Sequence, residues 1–347
     1  MFTFHNYTRL ENFIDVLNAH LSIERCAPTW ANWEEGRLIS EVKTIPGFDT
    51  NEHKTIQFSG KTVQYIFFEG YTERAKRLSP EEQENSPLRD DRINSMSSNF
   101  LIFECENQVY GIVFSGITYA KPLVKDIFPS EIWGNVEPKE FELTEDLLYW
   151  IFKRHIDLRS DSLSENHQVF VTALESYKGK TRDKVNAVRG EGSRISTILG
   201  TLAFLFDNEE LKVVRPKIQD GNEVILVELS LTGTFKYWPK LYRGSWTGTL
   251  EGIEKQNAVA IYIVVRLIPL LIECYDENKR KNEWSPQLRV DFLKRLGEEI
   301  RDRVTDELNR IEQGMNQNLD LEDALSDPNL DLDDEELDVI DEDDMGE

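Results

Sequence analysis

A basic, glycine-containing segment is the part of the sequence best suited to binding chemistry. The segment Tyr177–Arg194 reads YKGKTRDKVNAVRGEGSR and sets six cations against Asp183 and Glu191. Glycine lets a backbone approach a ligand closely, and the N–H groups at a helix start favour an anion. The predicted anion or nucleic-acid site consists of Lys178, Lys180, Arg182, Lys184, Arg189, Gly190, Gly192, Ser193 and Arg194.

The same segment has a simpler interpretation. It lacks the Gly-Lys-Ser/Thr ending of a P-loop and the three-glycine spacing of a dinucleotide fold. Charge runs are usually solvated, so a mobile connection whose glycines only turn the chain would have the same composition.

A second segment, Phe235–Trp246, interleaves aromatic residues and cations as FKYWPKLYRGSW. Aromatic faces beside cations suit single-stranded nucleic acid, because stacking and phosphate neutralisation then occur together. They also suit protein interfaces, and a strand end whose rings pack into the core would look alike. Both segments fall in one predicted domain, where they could share a sheet edge. The candidate residues here are Tyr237, Trp238, Lys240, Tyr242, Arg243 and Trp246.

Enzyme chemistry has weaker support. Glu41-Val-Lys43 has the Glu-x-Lys form of restriction-type nucleases, with Glu34 and Glu35 upstream, but this tripeptide is common by chance in a chain that is 30% charged. The histidines show no zinc-ligand spacing, and no Gly-x-Ser-x-Gly or kinase motif is present. We therefore expect no catalytic residue, no metal and no cofactor, with a metal-dependent nuclease as an alternative.

Arg266 lies inside the apolar stretch Glu254–Asp276. A buried unpaired charge costs several kcal/mol, so this guanidinium needs a partner or an exposed face. A structural ion pair and a ligand-facing arginine are both consistent with the sequence. Pro269 is expected to disturb the helix close to Arg266.

The elements that must position these residues predict an α+β fold with mainly antiparallel sheets. Short segments rich in Val, Ile, Phe and Tyr predict strands in both halves of the chain. Glu254–Asp276 is apolar nearly all round and predicts a buried C-terminal helix. Ser285–Gln313 predicts a long amphipathic helix that begins with an N-cap Ser and an N1 Pro and ends at Gly314. The polar residues 71–99 predict an exposed loop, and residues 193–206 a helix.

Composition divides the chain into an N-terminal α+β domain (1–165), a C-terminal α+β domain (166–314) and an acidic tail (315–347). The formal charge is −24, but residues 316–347 hold 15 acids and no Lys or Arg, which leaves −24 + 15 = −9 for residues 1–315. A globally acidic chain argues against nucleic-acid partners, whereas a body at −9 with basic clusters does not.

The tail is patterned with leucines among its acids and is expected to be disordered when free. It serves either as a solubilising extension or as a docking element that competes with nucleic acid for a basic surface such as 178–194.

Three widely spaced cysteines argue for a reducing compartment. The first residues lack a signal-peptide pattern, and the run Ala258–Ile272 is short and interrupted for a membrane span. We expect a soluble cytoplasmic protein without a membrane partner.

The segment Tyr177–Arg194, the helix after it and the strand ELSLTGTFKYW are similar to bacterial accessory proteins linked to phage defence. This resemblance covers less than a quarter of the chain and implies no catalytic residue.

The leading hypothesis is a non-catalytic protein that binds nucleic acid, DNA or RNA, or another polyanion, with binding tuned by the acidic tail. The alternative is a protein-interaction subunit of a larger complex. In that case the 285–313 helix and the tail would be docking elements, and the helix could form a homo-oligomer.

Overall fold

Two antiparallel sheets pack around one long buried helix. The computed structural model describes residues 1–26, 37–79, 81–82, 88–181, 185–192, 199–208 and 210–317. The predicted α+β class is confirmed. The tail after residue 317 and the predicted helix start at 193–198 lie outside the described residues.

The first sheet has eight strands and is curled into a half-barrel. Its order is β2-β3-β5-β6-β7-β1-β8, with β4 paired to β5. The strands are β1 (Phe2–Phe4), β2 (Ser22–Cys26), β3 (Arg37–Lys43), β4 (Lys54–Phe58), β5 (Lys61–Ala75), β6 (Ile93–Cys105), β7 (Gln108–Val113) and β8 (Val136–Pro138).

Alternation along β5 explains why both faces of this sheet are covered. Ile66 and Phe68 point to one face, where they join the core made with α1 (Leu10–Ala19) and the helices after β7. Tyr65 and Phe67 point to the other face and join the core around the long buried helix. The helices of this half are α1, α2 (Arg89–Arg92), α3 (Ile117–Ile127) and α4 (Ser130–Trp133).

The second sheet has five strands in the order β10-β9-β11-β12-β13. They are β9 (Val169–Lys180), β10 (Ala187–Glu191), β11 (Glu210–Asp220), β12 (Glu223–Ser230) and β13 (Phe235–Tyr237). The remaining helices are α5 (Glu145–Asp157), α6 (Leu199–Phe206), a 3-10 turn (Pro239–Leu241), α7 (Gly252–Arg280) and α8 (Pro286–Gln317).

The central helix α7 contains a π-helical segment, Ile263–Leu267, between two α-helical parts. Pro269 has no N–H to offer and its ring crowds the preceding turn, so the helix widens and Ile268 N–H reaches back to Ile263 O. The predicted disturbance beside Arg266 is thus confirmed.

Burial distinguishes α7 from a membrane span. At 29 residues the helix is longer than the sequence predicted and apolar enough to cross a membrane, but 72% of its most apolar window is buried inside the protein. This is consistent with a soluble protein.

Two sequence predictions about secondary structure are wrong at particular places. Residues 71–75 and 93–99 belong to β5 and β6, whose polar outer positions hid long paired strands. The last helix continues past Gly314 to Gln317, because a glycine without further stop signals weakens a helix by only about 1 kcal/mol.

Helix α5 falls before the predicted domain boundary at 165 but packs against β9, β11, α7 and α8. Its Asp146 carboxylate accepts hydrogen bonds from Tyr275 Oη (2.6 Å), Trp284 Nε1 (2.7 Å) and Arg289 Nη1 (3.1 Å). One carboxylate therefore ties the start of α5 to α7 and α8.

Burial of Asp146 tends to raise its pKa, but the hydrogen bonds from Tyr275, Trp284 and Arg289 outweigh burial and hold the pKa below its usual value. A carboxylate whose pKa is lowered by folding stabilises the protein at pH values above its unfolded-state pKa of about 3.9. That stabilisation is lost as the pH falls through the folded-state pKa.

We expect Asp146→Asn to lower the free energy of unfolding by about 2 kcal/mol at pH 7, because the donors lose a charged acceptor. The variant should also lose less stability than the parent as pH falls below about 4. Urea denaturation at several pH values measures both, with the exposed Asp302→Asn as the matched control. Equal stability of variant and parent would contradict the role given to Asp146.

Candidate nucleic-acid interface

The basic segment forms a β-hairpin where the sequence predicted a loop. In β9 and β10, Arg189 pairs with Lys178 and Gly190 pairs with Tyr177. Because side chains alternate along a strand, Lys178 and Arg189 lie on one face of the sheet, opposite to Tyr177. Strand alternation has therefore separated the cations from the core-facing residues.

Gly190 has a packing role. A Cβ built on it would lie 2.2 Å from Tyr177 Cε1, so the ring fills the space that the missing side chain leaves. The Tyr177 ring in turn contacts Phe204 and Phe152, with centroids 5.0 and 5.9 Å away. The prediction that Gly190 lets a ligand approach the backbone is corrected, because Tyr177 already occupies that position.

Gly192 follows the hairpin with φ +138°, a conformation that L side chains rarely adopt. Its N–H donates to Glu175 O at 2.9 Å. This hydrogen bond joins the residue that follows β10 to β9.

Arg215 organises the outer face of the second sheet. Its guanidinium donates to Glu228 at 3.0 Å and to Glu191 at 2.8 Å, and lies 4.5 Å from the Trp238 ring centroid. Lys178 Nζ lies 3.7 Å from Glu228, and Arg189 contacts Glu191. We call this set the Arg215 face: Lys178, Arg189, Glu191, Arg215, Glu228 and Trp238.

Arg215 and Glu228, the two most buried charged residues of the Arg215 face, form an ion pair. Only 14% of the Arg215 side chain and 7% of the Glu228 side chain are exposed. Burial tends to lower the pKa of Arg215, but its hydrogen bonds to the carboxylates of Glu228 and Glu191 outweigh burial and raise the pKa. The Arg215 contact likewise lowers the pKa of Glu191. These shifts favour the charged forms of Arg215 and Glu191.

Arg215 and Glu228 were absent from the sequence-based site. One signal was available, since Glu228 is a charged residue inside the otherwise apolar strand VILVEL. A carboxylate buried in a central strand needs a cation on a neighbouring strand, but pairing between strands decides which one.

Only one of the four candidate aromatic residues belongs to the Arg215 face. Tyr242 and Trp246 are 2% and 8% exposed, stack on each other, and lie in the core with Tyr262 and Phe58. The prediction that these two rings stack on bases is corrected, because the core encloses them.

Tyr237 also points inward, and its hydroxyl donates to Gln256 O at 3.0 Å. Burial raises the pKa of Tyr237 well above its usual value, and a hydrogen bond with the Gln256 side chain offsets only part of that rise. Trp238 is half-buried on the opposite side, against Arg215.

The two predicted segments do not share a sheet edge. Strands β10 and β13 lie at opposite edges, and Arg215 on β11 connects them by contacting both Glu191 and Trp238. Lys180, Lys240 and Arg243 are exposed. The predicted site residues Arg182, Lys184, Ser193 and Arg194 lie outside the described residues.

In the part of the chain that the structure describes, no further metal-binding side chains lie beside the Glu-x-Lys motif of the nuclease alternative. Glu41 and Lys43 lie on β3 with their charged atoms 3.6 Å apart. Within the described ranges, no group of three His, Cys, Asp or Glu side chains is placed to hold a metal ion. Glu34 and Glu35 lie outside those ranges.

Arg266 makes the structural ion pair that the sequence offered as one alternative. Its Nε lies 3.2 Å from Asp220 Oδ2, and Tyr262 Oη donates to the same oxygen at 2.5 Å.

No protein-family model matches this chain, and no curated protein matches its sequence.

We expect Gly190→Ala to destabilise the protein by about 1–3 kcal/mol, because the new methyl group overpacks the Tyr177 ring. Denaturant unfolding measures the change. Gly200→Ala is the matched control, since nothing lies within 4 Å of its Cβ position in α6. It should be neutral or stabilising. A Gly190→Ala protein as stable as the parent would show that Tyr177 does not need that space.

Proposed function

We propose that this chain is a non-catalytic cytoplasmic protein that binds nucleic acid on the Arg215 face. The observation that carries the proposal is the placement of Lys178, Arg189 and the stacked Arg215–Trp238 pair on one face of an antiparallel sheet. Proteins that bind single-stranded nucleic acid combine cations, which contact the phosphates, with aromatic rings on which the bases stack.

Charge on this face favours a phosphate backbone. The Arg215 face has three cations against two carboxylates, and the exposed Lys180 and Lys236 lie on β9 and β13 of the same sheet. Arg189 and Glu191 are both about half exposed, so a phosphate can replace the carboxylate as the partner of Arg189. Arg215 and Glu228 would stay paired and hold Trp238 in place.

The acidic tail would act as a competitor for this surface. Residues 316–347 hold 15 carboxylates interspersed with leucines, and covalent linkage to the same chain gives such a segment a high effective concentration. Bacterial phage defence is the setting that the partial sequence resemblance suggests for this activity.

We expect the affinity for a labelled single-stranded oligonucleotide to fall steeply between about 50 and 200 mM salt, because phosphate contacts release counterions. The double variant Lys178→Ala, Arg189→Ala should bind more weakly, with a salt slope lower by about two. Fluorescence anisotropy with DNA and RNA, single- and double-stranded, measures both quantities.

The matched control is Arg301→Ala, Arg310→Ala, which removes two exposed cations from α8. In the same titration, a chain without residues 316–347 should bind more tightly than the full chain. Salt-independent binding, equal losses in both double variants, or loss of binding on tail removal would overturn the proposal.

The second candidate function is protein interaction through α8. Its far end exposes Val304, Leu308 and Ile311, spaced by four and three residues along one side of the helix. Apolar side chains at this spacing form a stripe that a partner helix can cover. This candidate predicts a mass in solution above that of the 40.4 kDa monomer, lowered to the monomer by Leu308→Glu. A monomer that captures no partner would contradict it.

A further inference from the structure

A polar cleft of about 290 Å³ lies away from the Arg215 face. It is formed by the end of α5, the loop 158–165 that follows it, and the end of α7 with the turn after it. Its volume lies just below the range of about 300–1,000 Å³ that is typical of pockets for drug-sized ligands, so it suits a small ligand. The lining residues used below are Arg154, Asp161, Glu165, Glu277, Lys281 and Glu283.

Arg154 is the unusual group in this cleft. The residue is 8% exposed, and its Nη2 donates to the backbone oxygen of Ser162. Its Nε is buried without a hydrogen-bond partner. Among the described residues, no carboxylate oxygen lies within 4 Å of the guanidinium. Burial consequently lowers its pKa.

A buried cation without an ion-pair partner is expensive, by several kcal/mol in proteins. The orphaned amide of Asn257 is also buried, but it lies in the core of α7. Arg154 differs because it lines a cleft that is large enough for a small molecule. A ligand in the cleft can therefore supply the anionic partner that the Arg154 guanidinium lacks.

The carboxylates of the cleft fall into two groups. Glu165 and Glu277 are both paired with Lys281, at 2.6 and 2.8 Å. Asp161 and Glu283, in contrast, are exposed and make no side-chain hydrogen bond or ion pair within the described part of the chain. Both are close enough to Arg154 to favour its charged form.

The cleft therefore presents one guanidinium and two uncommitted carboxylates. A ligand with only a negative charge would be repelled by the two carboxylates, and a ligand with only a positive charge would be repelled by the guanidinium. A ligand with both charges satisfies both ends, and a guanidinium binds a carboxylate group strongly with its parallel N–H donors.

We infer that this cleft binds a small zwitterion of the α-amino-acid class, with its carboxylate on Arg154 and its ammonium group on Asp161 and Glu283. Such a ligand would bridge the ends of α5 and α7 and stabilise the folded protein by mass action. The inference is independent of nucleic-acid binding.

Thermal unfolding and isothermal calorimetry test the inference with glycine, L-serine, L-glutamate and L-lysine as separate probes. We expect at least one of them to raise the melting temperature saturably, whereas acetate and methylammonium, which each have one charge, should not. Arg154→Gln should abolish binding. The matched control Arg159→Gln removes an exposed cation two residues beyond α5 and should bind like the parent.

A second variant covers the case in which Arg154→Gln does not fold. Asp161→Asn changes only an exposed loop residue, so it should keep the fold and weaken binding at least about tenfold, since a charged hydrogen bond is lost. The inference is overturned if no amino acid binds, if acetate binds as well as the amino acids, or if either cleft variant binds like the parent.

Discussion

The burial of one apolar helix between two sheets is the constraint on which the rest of this structure depends. Tyr262 on α7 shows the arrangement, since its ring packs on Phe58 of the first sheet at 5.3 Å and its hydroxyl donates to Asp220 of the second. Each buried large apolar side chain contributes about 1.5–3 kcal/mol. A helix that is apolar on every side reaches that gain only if both sheets cover it.

Because α7 is enclosed, the polar and charged groups beside it need hydrogen-bond or ion-pair partners. Arg266 lies in the π-helical segment and reaches Asp220, while Tyr275 from the same helix donates to Asp146. Each of these charges has a partner because an unpaired one would cost more than the packing returns. Arg154, at the end of α5, has no such partner among the described residues, and we propose that a ligand supplies one.

The sequence located the basic segment but not its architecture. Lys178 and Arg189 were predicted as ligand contacts and do lie on a common face, because β9 and β10 pair in a register that puts them side by side. Composition could not separate Trp238 from Trp246, since both stand in the same aromatic run. Pairing of β13 with β12 points Trp238 towards Arg215, whereas Trp246 packs on Tyr262.

By itself, the sequence determined the α+β class, the buried helix, the amphipathic final helix and the uneven distribution of charge, because these follow from local periodicity and composition. Only the tertiary structure decided which charges meet. Arg215 lies 13 residues from Glu228 and 24 from Glu191, and Arg154 meets the end of α7 more than 120 residues away. Such meetings depend on strand register and helix packing, which the free energy of the whole fold sets and which no single segment encodes.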